Sequence, residues 1–382
     1  MAGIYIHIPF CRQACHYCNF HFTTLPAGRQ GSLTRKNELI AALLKEIDIQ
    51  RNYLQGEAVE TIYFGGGTPS LLTVPDLQSL INKLRQNFAL SAQVEITLEA
   101  NPDDISEEKL MGWRDAGINR LSTGIQSFFN EDLEWMNRAH SAEQAVKSLE
   151  LSVQYFDNIT IDLIYGTPQL TNERWKQNVQ KIVSYNIPHI SCYALTVESK
   201  TPLQKMILQG KSENINPDKQ SEQFLLLMQW LEEAGYEHYE ISNFAKPGFR
   251  SRHNSSYWQG KKYLGIGPSA HSYDGKSRQW NVANNNIYIN SLDKDILSFE
   301  KEILTTDQQL NEYIMISLRT IEGLNIDLIE KKFGEKSKDS ILSASKKYIR
   351  SNKMIESANG NLVLTKEGKL LADGIASDLF SV

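Results

Sequence analysis

The sequence has 382 residues, 41% of them hydrophobic and 22% charged, which suits a chain that buries a sizeable core and is too long for one ordinary compact domain. A formal net charge of -5 argues against a bulk basic surface of the kind that carries nucleic-acid binding, and no apolar run approaches the ~20 residues that span a bilayer. The first nine residues lack a basic segment and are interrupted by His7 and Pro9, so they read as a buried strand instead of an export signal, and the expected compartment is the cytoplasm.

Strand-like apolar runs and helix-like periodic stretches then alternate. The runs cover residues 3–8, 59–64, 94–99, 120–125, 159–165 and 187–197; the amphipathic stretches cover 34–53, 75–88, 106–116, 141–155, 171–185 and 219–234. In the first stretch Leu39, Ile40, Leu43, Leu44 and Ile47 recur at helical spacing, and Ser106 and Ser141 are placed as helix N-caps. Six strand–helix units in series predict a parallel sheet with right-handed crossovers. Cys11, the glycines at 65–67, Glu99, Gln126 and Asp162 all fall at or just past strand ends. One shared rim favours a barrel over a doubly wound sheet, and six units predict a partial (β/α)6 barrel over residues 1–236. Residues 237–300 read as an irregular connecting region. Helical patterns near 306, 325–332 and 340–351, then a hairpin turning at Asn359-Gly360, predict a winged-helix-like α+β domain over 301–382. That stretch holds twelve Lys+Arg and twelve Asp+Glu, so packing or partner docking is preferred to DNA.

Three of the four cysteines lie in Cys11-Arg12-Gln13-Ala14-Cys15-His16-Tyr17-Cys18. Clustered cysteines in a large chain without an export signal point to metal or redox chemistry, not to a disulfide framework. Three thiolates on a short loop can hold a [4Fe–4S] cubane and leave one iron open. A zinc site prefers two distant C-x2–4-C pairs; no second pair exists, although His16 or His21 could supply a fourth ligand. Cys192, in an apolar run, reads as a buried free cysteine. The Gly65-Gly66-Gly67-Thr68 turn lets backbone approach a ligand and, with no Gly-Lys-Ser/Thr after it, is not a Walker A loop; a plain tight turn explains three glycines nearly as well. Glu99 closes a strand and could accept ribose hydroxyls. Gln126 and Asp162 are polar tips on apolar strands, and Arg138 and His140 could neutralise a carboxylate.

The spacing C-x3-C-x2-C resembles the signature of the radical S-adenosylmethionine (SAM) superfamily. The resemblance implies a [4Fe–4S] cluster on Cys11, Cys15 and Cys18, with SAM on the open iron cleaved to methionine and a 5′-deoxyadenosyl radical. Tyr5-Ile6-His7-Ile8-Pro9-Phe10-Cys11, Gly65–Pro69, Gln126-Ser127-Phe128 and Asp162–Gly166 together resemble the oxygen-independent coproporphyrinogen III oxidase family. By that resemblance Tyr5, Gly66 and Glu99 would contact the cluster-bound SAM. Tyr17, Gly67, Thr68, Gln126, Arg138, Asp162 and Ala194 match positions that hold a second SAM.

Three departures point away from the oxidase itself. Phe20 stands where the oxidase has a fourth cysteine, the first strand begins at residue 3, and His253-Asn254-Ser255-Ser256-Tyr257-Trp258 resembles the H-N-x-x-Y-W motif of the family's haem chaperones. This implies a haem carrier that delivers haem to an acceptor haemoprotein, served by an electron donor, with a homodimer as one permitted assembly. His253 is the expected axial ligand, Tyr257 and Trp258 the stacking partners, and His271 the next residue to test; a packed histidine beside two aromatics is the competing reading. Oxidative decarboxylation of coproporphyrinogen propionates is the alternative function.

Overall fold

The computed structural model describes residues 2–25 and 30–381. Six strands, β1 (Ala2–Ile8), β2 (Val59–Gly66), β3 (Leu90–Ala100), β4 (Arg120–Gln126), β5 (Ile159–Tyr165) and β6 (His189–Ala194), pair in parallel in that order. Their burial is nearly continuous: in β1 only Tyr5 is half-exposed. Strands covered on both faces have this unbroken apolar pattern, where a one-faced strand would alternate. Helices cross over between them. Ser106 caps its helix through Lys109 N–H, and Ser141 forms a capping box with Gln144.

Residues 237–300, expected to be irregular, instead extend this sheet at both ends. On one side β7 (Glu237–Glu240) and β8 (Asn243–Ala245) add antiparallel strands beyond β6. On the other, β9 (Tyr263–Ile266) pairs in parallel with β1, and β10 (His271–Tyr273), β11 (Ser277–Asn281) and β12 (Phe299–Ile303) continue antiparallel. The result is one open twelve-stranded sheet, β12-β11-β10-β9-β1-β2-β3-β4-β5-β6-β8-β7, not closed on itself. These added strands run to three to five residues and carry polar side chains, so their apolar periodicity is too short to stand out.

The C-terminal part has its own core around Leu310, Ile314, Leu324, Ile329, Ile341 and Leu362. Helices Thr306–Leu318, Ile326–Phe333 and Glu335–Arg350 are followed by the hairpin of β14 (Met354–Glu356) and β15 (Asn361–Leu364), onto which β13 (Leu324–Asn325) pairs. This is the winged-helix-like order read from the sequence, with the third helix starting five residues earlier. It docks on the sheet through Ile241 N–H to the Arg319 carbonyl and Ile321 N–H to the Tyr239 carbonyl, both 3.0 Å. Among the described residues no helix is long and apolar enough to cross a membrane.

One buried carboxylate ties the first helix (Gln30–Ile49) to the β9–β10 turn. Glu46, fully buried, accepts from Gly267 N–H at 2.7 Å, Asn281 Nδ2 at 2.7 Å and the Tyr288 hydroxyl. Burial pushes its pKa up to about 7 against the lowering effect of these donors. Glu46→Ala leaves three buried donors without an acceptor, so unfolding free energy should fall by about 3 kcal/mol or more, measurable as a lower urea midpoint.

Candidate functional site

The cysteine loop leaves the carboxyl end of β1 and is tied down on several sides. His16 N–H bonds the Met136 carbonyl at 3.0 Å, Asn137 Nδ2 the Ala14 carbonyl at 2.7 Å, and Leu203 N–H the His16 carbonyl at 2.8 Å. Arg12 Nη2 pairs with buried Asp104 at 2.6 Å. Local sequence thus sets the thiol spacing, while the β3–β4 and β4–β5 connections and the segment after β6 hold the loop over the sheet.

Beneath it lies a cavity of about 440 Å³ lined by Cys11, Cys15 and Cys18 and by Tyr17, Gly66, Gly67, Thr68, Glu99, Gln126, Arg138, Asp162 and Ala194. Twelve of the fourteen sequence-selected residues therefore meet in one place. The exceptions are Tyr5 and His253. Gln126 holds a left-handed backbone, φ +68°, a conformation unusual for a side-chain-bearing residue and one that occurs at ligand sites. His16 bonds the Trp135 carbonyl through Nδ1 and His21 the Asn285 side chain through Nε2. His140 bonds the Ile125 carbonyl and is held neutral, down to about 3, by burial and then by Arg138; it faces the core and neutralises no carboxylate.

The electrostatics of the cavity suit a positively charged, hydroxyl-bearing ligand beside a metal cluster. Burial pushes the Cys11 thiol up to about 11 and raises Cys18, so in the bare protein these thiols are neutral. Metal ions would supply the positive charge that makes them thiolates. Arg138 sets Nη1 3.3 Å from Cys15 Sγ and Nη2 2.8 Å from Asn101 Oδ1, while its buried Nε has no acceptor among the described residues. Glu99 accepts from the Tyr63 hydroxyl at 2.8 Å and from Gly66 N–H at 3.2 Å. Burial nevertheless pushes Glu99 up to about 7 and Asp162 to about 6. Two buried carboxylates with spare lone pairs fit a ligand that brings hydroxyl donors and positive charge.

The glycine turn is needed by the fold as well as by any ligand. Gly66 has φ +107°, and a Cβ there would sit 2.5 Å from the His7 ring; one on Gly67 would sit 2.6 Å from the Phe10 carbonyl oxygen. A branched residue at 66 would therefore displace the turn itself.

A second cavity, about 890 Å³, adjoins the first: Asn19, Phe20, Gly66 and Glu99 line both. Its walls come from Tyr5 and His7 on β1, Tyr257 and Trp258, the β10–β11 hairpin and the C-terminal helices. Seven aromatic residues line it: Tyr5, Phe20, Tyr257, Trp258, Tyr263, Tyr273 and Tyr313, so it suits a broad, flat, partly apolar ligand.

His253 does not reach either cavity. Its helix (Arg252–Trp258) sets His253 and Tyr257 four residues apart on one face. The ring, 2% exposed, bonds Thr61 Oγ1 through Nδ1 and the Tyr257 hydroxyl through Nε2, both at 2.8 Å, and stacks on Tyr63 at 5.0 Å. With both nitrogens engaged it has no lone pair for iron, and burial alone holds it neutral, down to about 3. The expectation that His253 is the axial ligand is corrected on this point: it braces β2, and Gly3 leaves room for it. Among the histidines of the second cavity, His7 bonds Tyr5 and the His21 carbonyl, and His21 bonds Asn285. His271 is exposed, its ring makes no hydrogen bond among the described residues, and it stacks on Trp280 at 6.1 Å.

An open α/β sheet with a C-x3-C-x2-C loop on its carboxyl rim defines a radical SAM protein, and residues 5–196 match the radical SAM superfamily. Residues 304–371 match the HemN C-terminal domain. The heme chaperone HemW of Bacillus subtilis is 33% identical over 379 residues, 98% of each chain, and that of Escherichia coli is 36% identical over 272 residues, 70% of this chain and 69% of the relative. The chain therefore belongs to the radical SAM superfamily, in the family of the haem chaperones HemW. The structure of coproporphyrinogen III oxidase (HemN) from Escherichia coli superposes with a TM-score of 0.84 over 100% of this chain and 90% of that one; at 24% identity this is a likeness of fold.

Two outcomes test this geometry. His253→Ala removes a buried ring and strands two hydroxyls, so it should cost about 3 kcal/mol of stability in chemical unfolding without ligand. Glu99 has its folded pKa raised from 4.5 to about 7, so the folded state keeps a proton that the unfolded chain releases, and this term loses stability as pH rises through that window. Buried neutral histidines act in the opposite sense below about 6.5, so the difference between variant and wild type isolates the carboxylate. The advantage of Glu99→Gln over wild type should grow from about pH 5 to about pH 8; a flat difference places the ionisation elsewhere.

Proposed function

We propose that this protein is a haem chaperone, binding haem for transfer to an acceptor haemoprotein, with a [4Fe–4S] cluster and SAM in the first cavity. The observation that carries the reading is the pair of adjoining cavities: one rimmed by three thiols, the other broad, aromatic and walled by two domains. The names of the relatives support it. Cys11, Cys15 and Cys18 would ligate three irons, and a SAM bound at the fourth would be a source of a carbon radical on one-electron reduction. Glu99 and Asp162 would receive hydroxyl and ammonium donors, Arg138 would hold the ligand's carboxylate side, and Gly66 N–H keeps Glu99 oriented. In the second cavity His271 would offer a neutral imidazole to haem iron, with Tyr257 and Trp258 as flat walls. Phe20, 67% exposed on the shared wall where the oxidase has a cysteine, favours carriage over decarboxylation.

Anaerobic reconstitution should load about four irons per chain. Replacing Cys11, Cys15 or Cys18 by Ala should abolish the cluster, and Cys192→Ala, at a fully buried core position, should not; tightly held zinc without sulfide would overturn the cluster. The protein should bind haem with a Soret shift that His271→Ala weakens. Given coproporphyrinogen III, SAM and reductant it should form no vinyl product, and robust product would make it the oxidase.

A further inference from the structure

This inference rests on haem occupying the second cavity and concerns how a porphyrin would be oriented there. In the β10–β11 hairpin His271 pairs with Trp280, and Tyr273 with Arg278. Directly opposed residues share a face, and so do residues two apart along a strand. His271, Tyr273, Arg278 and Trp280 thus stand on one face, and the first three line the cavity. Arg278 lies over the Tyr273 ring at 5.9 Å and is the diagonal neighbour of His271, about 7–8 Å away.

Across the cavity the C-terminal helix Thr306–Leu318 presents Glu312. Arg278 Nε, itself buried, lies 2.7 Å from Glu312 Oε1, yet among the described residues it has no aligned hydrogen bond. The two side chains are 38% and 28% exposed, and an ion pair this open to water is weak and exchangeable. The other cations of the cavity fit less well. Lys261 is drawn to Glu60 at 3.6 Å and Lys332 sits over Phe333 at 5.2 Å; neither has the planar fork that matches a carboxylate.

We propose that Arg278 anchors a propionate carboxylate of the bound porphyrin, and that Glu312 occupies that anchor when the cavity is empty. With iron at His271, the acidic edge of the macrocycle would reach the guanidinium two residues along the same face. The arriving carboxylate takes over the charge contact that Glu312 makes. Glu312, repelled by the new anion, then lets go of Arg278, and one tie between the sheet edge and the C-terminal domain is undone. Ligand binding and domain attachment at this edge are therefore coupled through a single guanidinium.

The test is a Soret titration of the reconstituted full-length protein with haemin and, separately, with haemin dimethyl ester, whose propionates are uncharged. Arg278→Gln should weaken haemin about tenfold and leave the ester unchanged. Glu312→Gln should tighten haemin several-fold and again leave the ester unchanged. A fold defect would weaken both ligands together and could not produce tightening in the Glu312 variant. Equal losses for both ligands in Arg278→Gln, or haemin affinity unmoved in either variant, would overturn the anchor. A wild-type protein that takes neither ligand would instead overturn the haem reading beneath it.

Discussion

Strand β1 pairs in parallel on both sides, with β2 through Ile6 and Phe64 and with β9 through Ile6 and Ile266, and the site depends on this double pairing. Parallel neighbours end at the same rim. The cysteine loop leaves β1, the glycine turn leaves β2 and the Gly267–His271 turn leaves β9, so three segments distant in sequence emerge side by side. The packing is close enough that a Cβ on Gly67 or Gly267 would lie 2.6 Å from a backbone carbonyl oxygen of the β1 segment. Glu46 holds the third of these turns from behind.

From this juxtaposition come two cavities with one common wall. The first gathers neutral thiols and carboxylates whose ionisation burial opposes; such groups gain from a ligand that carries the complementary charge. The second is aromatic and spans two domains. Gly66 and Glu99 face both, so a change in the hydrogen bonding of Glu99 is felt on either side. Tyr63 bonds Glu99 and stacks on His253, which bonds Tyr257 in the second cavity. That chain of contacts gives the histidine motif a physical place between the two cavities.

Much of this was readable along the chain. Strand β5 matches its apolar run residue for residue, and the helices capped by Ser106 and Ser141 begin where those caps stand. Cys11, Glu99 and Gln126 are recognisable at or just past strand ends, and Cys15 and Cys18 by their spacing; Asp162, expected at a strand end, sits in the middle of β5, and all six line one cavity. His253 lies away from both cavities for a definable reason. A histidine ahead of Tyr-Trp looks the same in sequence whether its ring faces a ligand or a neighbouring strand, and Thr61 and Tyr63, which claim it, lie some 190 residues away. The strands from β7 to β12 do not stand out in the sequence because each is only three to five residues long, too short to show an apolar period.

By itself the sequence determined the alternation of strand and helix, the spacing of the thiols, and the set of polar residues at one rim, because hydrophobic periodicity and covalent spacing are local properties. Only the tertiary structure decided that residues 237–300 complete the sheet at both ends. It also decided that His253 is saturated while His271 is open, and that Arg278 meets Glu312 across a cavity. Those outcomes depend on which lone pairs and charges are already engaged by distant partners, and no local pattern carries that information.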